Sequence, residues 1–204
     1  MGDISLKGYH GTCSFAMKSI ESRGFDPDAT SPRSDHWLGK GVYFFEDIAP
    51  AKWWATDISS KKYGSLPIVY LADIVADKEQ VLNLDNNDEL ASFREFITEN
   101  IDTIREMCKN ENKGYPVFDG RKFRGVFFDY YKRVYGIKVI IATFTKDFVR
   151  YVPNYPLSED EREFQRELSR ILGIRFKEKQ ICVSDQNCIK CFRVVSIREE
   201  AEVI

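Results

Sequence analysis

Two stretches decide how this chain folds: "GYHGTCSFAMKSIESRGF" at residues 8–25 and "HWLGKGVYFFEDIAPAKWWA" at 36–55. They contain the only two histidines, His10 and His36. The first stretch continues the run "ISLKGYHGT" (4–12), which reads as a short strand entering a turn. Beyond it Phe15, Met17, Ile20 and Phe25 recur near helical spacing. Thr12 or Ser14 is the expected N-cap there, and Gly24 the C-cap. In the second stretch Gly39 and Gly41 break an apolar run, and "GVYFF" (41–45) reads as a buried strand. "DIAPAKWWATDIS" (47–59) then starts a helix, with Pro50 favourable in its first turn.

Working outward, "LPIVYLADIVA" (66–76) is aliphatic and continuous enough for a sheet interior. Leu90, Phe93, Phe96, Ile97, Ile101, Ile104 and Met107 follow at steps of three and four, giving one amphipathic helix or two within a mainly helical middle at about 85–112. "KVIIATF" (138–144) is strand-like, and "SEDEREFQRELSRIL" (158–172) opens on a capping box of Ser158 and Glu161. The segment "KQICVSDQNCIKCFRVVSI" (179–197) reads as two β runs around the turn "SDQN". With no repeat or linker, residues 1–204 are expected to form a single α+β domain, strands at both ends and helices between.

The chain has 204 residues, 43% hydrophobic and 14% aromatic, enough for a proper core. Its net charge of −2 argues against a strong nonspecific nucleic-acid binder but leaves room for a local basic groove. Met1 is followed by Asp3 and Lys7 with no apolar leader segment, and no run approaches the roughly 18 apolar residues of a membrane span. The five cysteines are odd in number and unevenly spaced, which fits free thiols in a reducing cytoplasm. Cys188-x-x-Cys191 is half of a zinc site, but it lies in a strand-like segment with no second pair, so no metal is expected.

The order of these features resembles the ADP-ribosyltransferase fold of the diphtheria-toxin and poly(ADP-ribose) polymerase type, whose first strand carries His-Gly-(Ser/Thr) and whose next carries Gly-x-Tyr-Phe. Here these stand as His10-Gly11-Thr12 and Gly41-Val42-Tyr43-Phe44. The resemblance is dense over residues 7–55, thin in the middle, and returns near 176–195. It implies a split mixed β-sheet with a helical insertion, and NAD⁺ as co-substrate. By the same resemblance His10 donates to a ribose hydroxyl, Gly11 lets its backbone approach the nicotinamide carboxamide, and Tyr43 stacks on the cationic ring. Thr12 and Phe44 belong to the same binding motifs. "AKW" (51–53) resembles the family's Ala-x-Tyr, so Trp53 or Trp54 closes the stack; the serine that usually precedes it is missing. His36 is read as a lid or structural residue.

The family's catalytic glutamate opens a late strand and stabilises the oxocarbenium-like transition state. The matching position in "QICV" (180–183) holds Gln180, with Glu178 two residues earlier on the same strand face. Three readings stay open. Gln180 orients the ribose by hydrogen bonding, Glu178 is the carboxylate and base, or the site binds NAD⁺ without turning it over. Plain solvent-facing strand residues are the bland alternative. The resemblance implies a mono-ADP-ribosyltransferase of the bacterial toxin or phage-defence type, its acceptor a nucleic acid (RNA or DNA) or a protein, with an antitoxin or regulator as partner. The interleaved basic and aromatic runs at 120–138 and 169–179 suit single-stranded nucleic acid. A catalytically silent NAD/ADP-ribose-binding module acting through a partner is the competing class. A monomer with no membrane contact is expected.

Overall fold

The computed structural model describes residues 2–29, 36–111, 124–146, 158–172 and 176–195. At its centre the long strand β1 (Asp3–Cys13) pairs antiparallel with β3 (Pro67–Asp77) along its whole length, from Asp3 opposite Asp77 to Cys13 opposite Pro67. Around them the remaining strands are β2 (Val42–Phe45), β4 (Val81–Asn83), β5 (Val139–Lys146), β6 (Phe176–Val183) and β7 (Ile189–Val195). They form one seven-stranded sheet in the order β4-β5-β6-β2-β1-β3-β7. Among the described strands only β4 and β5 run parallel, the connection between them passing through the helical middle.

The sheet is nearly divided at β1 and β2. These strands share the single pair Tyr9–Phe45, whereas β2 pairs with β6 over all four of its residues. One part of the sheet is therefore β7-β3-β1 and the other β2-β6-β5-β4.

Strand alternation sends successive side chains to opposite faces and sorts the helices accordingly. Helix α1 (Ser14–Arg23) supplies Ile20 to the face holding Val42, Phe44, Tyr70, Ile74, Ile181 and Val183. Helix α2 (Ile48–Ser60) lies on the other face, with Ala51 and Ala55 packed against Phe45 and Val69. Beside it on that face, α3 (Asn87–Glu99) and α5 (Arg124–Tyr135) cover Tyr43, Ile140, Ala142 and Cys182. Helix α4 (Ile101–Glu111) packs behind α5 through the fully buried Ile104. The middle is thus two helices interrupted at Asn100, whose amide donates back to the Phe96 carbonyl at 2.9 Å. Helix α6 (Glu159–Leu172) carries the anticipated capping box: Glu161 N–H donates to Ser158 Oγ at 3.2 Å, and the Glu161 carboxylate accepts from Ser158 N–H at 2.7 Å.

One local expectation is corrected. The N-cap of α1 is Cys13, with neither Thr12 nor Ser14 capping it. Thr12 is held in the β1–β3 ladder opposite Ile68, and Ser14 Oγ accepts instead from Leu66 N–H at 3.0 Å. Gly24 does cap the other end, with φ 77° and its N–H on the Ile20 carbonyl at 2.8 Å. The two β runs around "SDQN" are present as β6 and β7, but they do not pair with one another: β6 lies between β5 and β2, while β7 pairs with β3 at the opposite edge. Among the described residues no helix is long and apolar enough to cross a membrane.

Candidate functional site

The His-Gly-Thr motif closes the division of the sheet. His10 lies on β1, beyond the last β1–β2 pair, and its Nδ1 reaches across to the Tyr43 carbonyl of β2 at 2.8 Å. A carbonyl oxygen only accepts, so Nδ1 carries the hydrogen. Burial pushes the imidazole pKa below its ordinary value, the Tyr43 carbonyl opposing that shift. The neutral ring therefore presents Nε2 as an acceptor. A ribose hydroxyl meeting Nε2 of this ring would donate to His10, whereas the resemblance implies the opposite direction. Phe25 and Phe44 hold the ring, with centroids 5.0 and 5.7 Å from that of the imidazole.

Gly11 is tied to packing. A Cβ at this position would collide with the backbone carbonyl of Ala51 and crowd the Ala55 nitrogen, so a side chain would lift α2 off β1. Thr12 and Phe44 are both interior. Phe44 points into the α1-side core, because Tyr43 and Phe44 are consecutive in a strand and face opposite ways. Both were expected among the cofactor-binding residues, and both lie inside the fold.

Tyr43 faces the other side. Its hydroxyl donates to the Gly39 carbonyl at 2.7 Å and accepts from Leu38 N–H at 2.8 Å. Burial raises its pKa far above the ordinary value, with Cys182 adding to the effect. The phenol is thus a neutral clamp on the Leu38–Gly39 turn. That turn is also held by α5, where Lys132 Nζ donates to the Lys40 carbonyl at 2.7 Å and Asp129 accepts from Lys40 N–H at 2.8 Å. The His36 imidazole stacks on the Tyr43 ring, 5.0 Å between centroids and 20° between planes. Trp53 and Trp54 meet edge to face at 5.2 Å on α2, and Trp54 packs on the Phe45–Ala51–Ala55 cluster.

Glu178 and Gln180 are buried, at 2% and 7% exposure, which excludes the solvent-facing alternative. Gln180 Nε2 donates to Glu178 Oε1 at 2.7 Å. Both project to the face of Cys182, where Gln180 is opposite Phe45 on β2 and Glu178 opposite Phe144 on β5. The expected residues thus form two groups flanking β2: His10 with Tyr43 at the β1 side, and Glu178 with Gln180 at the β6 side. No hydrogen bond joins the groups among the described residues.

The cysteine pair resolves differently. Cys188 is buried, while Cys191 is exposed and within 2.8 Å of Asp73 Oδ2. Among the described residues no three His, Cys, Asp or Glu side chains converge as a metal centre would need. Of the basic and aromatic runs, residues 120–123 and 173–175 lie outside the described residues. Comparison with protein-family models, curated proteins and solved structures returns no match to this chain.

Proposed function

We propose that this chain is an NAD⁺-dependent mono-ADP-ribosyltransferase whose co-substrate binds at the divided sheet. The observation that carries the reading is the single-pair junction of β1 and β2, bridged beyond Tyr9 by the His10–Tyr43 hydrogen bond. An interrupted ladder leaves strand edges whose amide and carbonyl groups a ligand can satisfy. In this proposal the dinucleotide passes through the open junction of β1 and β2, because His10 sits on the α1 side of the sheet and Tyr43 on the other. One ribose donates a hydroxyl hydrogen to His10 Nε2, and the nicotinamide displaces His36 from the Tyr43 ring. Trp53 and Trp54 form the wall on α2.

Glu178 then supplies negative charge beside the nicotinamide ribose. As the C1′–N bond breaks, its electron pair leaves with nicotinamide, and the positive charge growing on the ribose is stabilised by the carboxylate. The acceptor forms the new bond to C1′ and gives up its proton to Glu178. Gln180 is a positioning residue, because an amide donates to the carboxylate but carries no charge itself. A silent NAD⁺-binding module is the second reading, favoured by the stack of His36 on the ring face the reaction needs.

Nicotinamide release from NAD⁺ by the purified chain tests the proposal, with and without single-stranded RNA, DNA or cell extract, beside His10→Ala. Release that depends on His10 and rises with one acceptor supports the transferase. NAD⁺ binding without release, lost in His10→Ala, supports the silent module; neither binding nor release removes both.

A further inference from the structure

On the same sheet face as Glu178, a groove of about 500 Å³ opens between α3, α5 and β5. Its walls are Leu38, Phe93, Phe127 and Phe144, with Arg94 and Arg124 at the edge. Phe144 and Ala142 of β5 line it directly opposite Glu178 and Gln180 of β6. Side chains so paired stand about 5 Å apart at Cβ, so the groove wall formed by Phe144 is one strand away from Glu178.

Acidic residues outnumber basic ones in the chain, 32 to 30. Yet the two arginines at the edge, Arg94 and Arg124, form no ion pair with another described residue. Arg124 instead lays its guanidinium 4.9 Å over the Trp37 ring, and Trp37 meets Phe144 edge to face at 4.8 Å. The volume falls within the range of small-ligand sites. A planar guanidinium matches a phosphate with two parallel hydrogen bonds, and an aromatic lining accepts the face of any base. An acidic peptide would satisfy the arginines but leave the aromatic walls unused.

We propose that this groove binds one unpaired nucleotide of a single-stranded nucleic acid, its base among the aromatics and its phosphate on Arg94 and Arg124. That this nucleotide is the acceptor of ADP-ribose rests on the transferase reading; that it binds does not.

Fluorescence anisotropy on the full chain uses labelled single-stranded RNA and DNA of mixed sequence, the corresponding duplexes, and an oligoglutamate peptide as competitor. The two single strands separate the RNA and DNA sources. Single strands should bind in preference to duplex and resist the peptide. Arg94→Ala and Arg124→Ala should each weaken binding about tenfold, and the double variant should reduce the slope of log K against log salt by about 0.7, the one phosphate contact the two share. Thermal melting confirms that each variant is folded. In the unaltered protein, adding a nucleoside monophosphate should quench tryptophan fluorescence, and Trp37→Phe should remove that quench. Equal binding of duplex, equal competition by oligoglutamate, or an unchanged salt slope in the folded double arginine variant would overturn the assignment. NAD⁺ binding measured in parallel separates the two proposals. Oligonucleotide binding without NAD⁺ binding keeps the groove and removes the transferase; NAD⁺ turnover without oligonucleotide binding does the reverse.

Discussion

Gly11→Ala distinguishes a glycine required by packing from one required by a ligand. The added methyl would meet the Ala51 carbonyl and the Ala55 nitrogen, both backbone atoms of α2 that no rotamer change can move. Overpacking of this kind costs about 1–3 kcal/mol, and a rigid backbone contact belongs at the upper end. Replacing glycine within a strand returns about 0.5–1 kcal/mol through the unfolded chain, leaving a net loss of about 2 kcal/mol. For a chain of this size that lowers Tm by about 4–8 °C. Differential scanning calorimetry without NAD⁺ is the assay, with Gly2→Ala as control because nothing lies within 4 Å of its added methyl. If Gly11→Ala melts with the unaltered protein and loses only NAD⁺ affinity, the packing account of Gly11 is wrong.

The imidazole of His10 has a pKa lowered by burial from an ordinary value of 6.5, so on acidification the unfolded chain takes up this proton before the folded one. Its contribution is therefore complete above about pH 6.5 and lost as pH falls toward the folded value. His10→Asn keeps an N–H for the Tyr43 carbonyl and removes the titration; its Tm should fall less between pH 7 and 5, and an identical slope would refute the assignment. Glu178→Ala and Gln180→Ala should each reduce nicotinamide release at least tenfold in folded protein, whereas unaltered rates in both would remove β6 from the site. His36→Ala frees one face of Tyr43 and should tighten NAD⁺ binding by about two- to tenfold, the worth of an aromatic contact, measured by calorimetric titration. Weaker binding in that variant would make His36 part of the site.

Periodicity made the separate elements readable. The alternation of "ISLKGYHGT", the spacing from Leu90 to Met107 and the reciprocal Ser158–Glu161 cap depend on nearby residues, and each produces its element. Alternation could also have assigned Phe44 to the core, since Tyr43 beside it faces the other way. The placement of β7 was different in kind. "SDQN" looks like a local turn, but β7 is drawn away by Leu71, Ala72 and Asp73 of β3, more than a hundred residues upstream. The burial of Glu178 and Gln180 likewise depends on β5 and β2 closing on either side of β6. In sequence, "FKEKQ" is a polar strand start with no sign of a covered face.

Nor could the motif reveal why glycine follows His10. A ligand and a helix make the same demand on Cβ, and only the position of Ala51 distinguishes them. The groove beside Phe144 was hidden for a similar reason, because Arg94 and Arg124 belong to different helices. That neither pairs with a carboxylate among the described residues is a property of the assembled surface.

The strand order also sets a timetable. Glu178 is carried by a strand synthesised after β1 to β5, and that strand is the only neighbour β2 has along its full length. Chains emerge N-terminus first, so a nascent chain holds the His10 and Tyr43 segments for most of its synthesis without the carboxylate. On the transferase reading, the chemistry of the completed fold is withheld from the unfinished polypeptide, and a binder that intercepts residues 176–183 would keep it withheld.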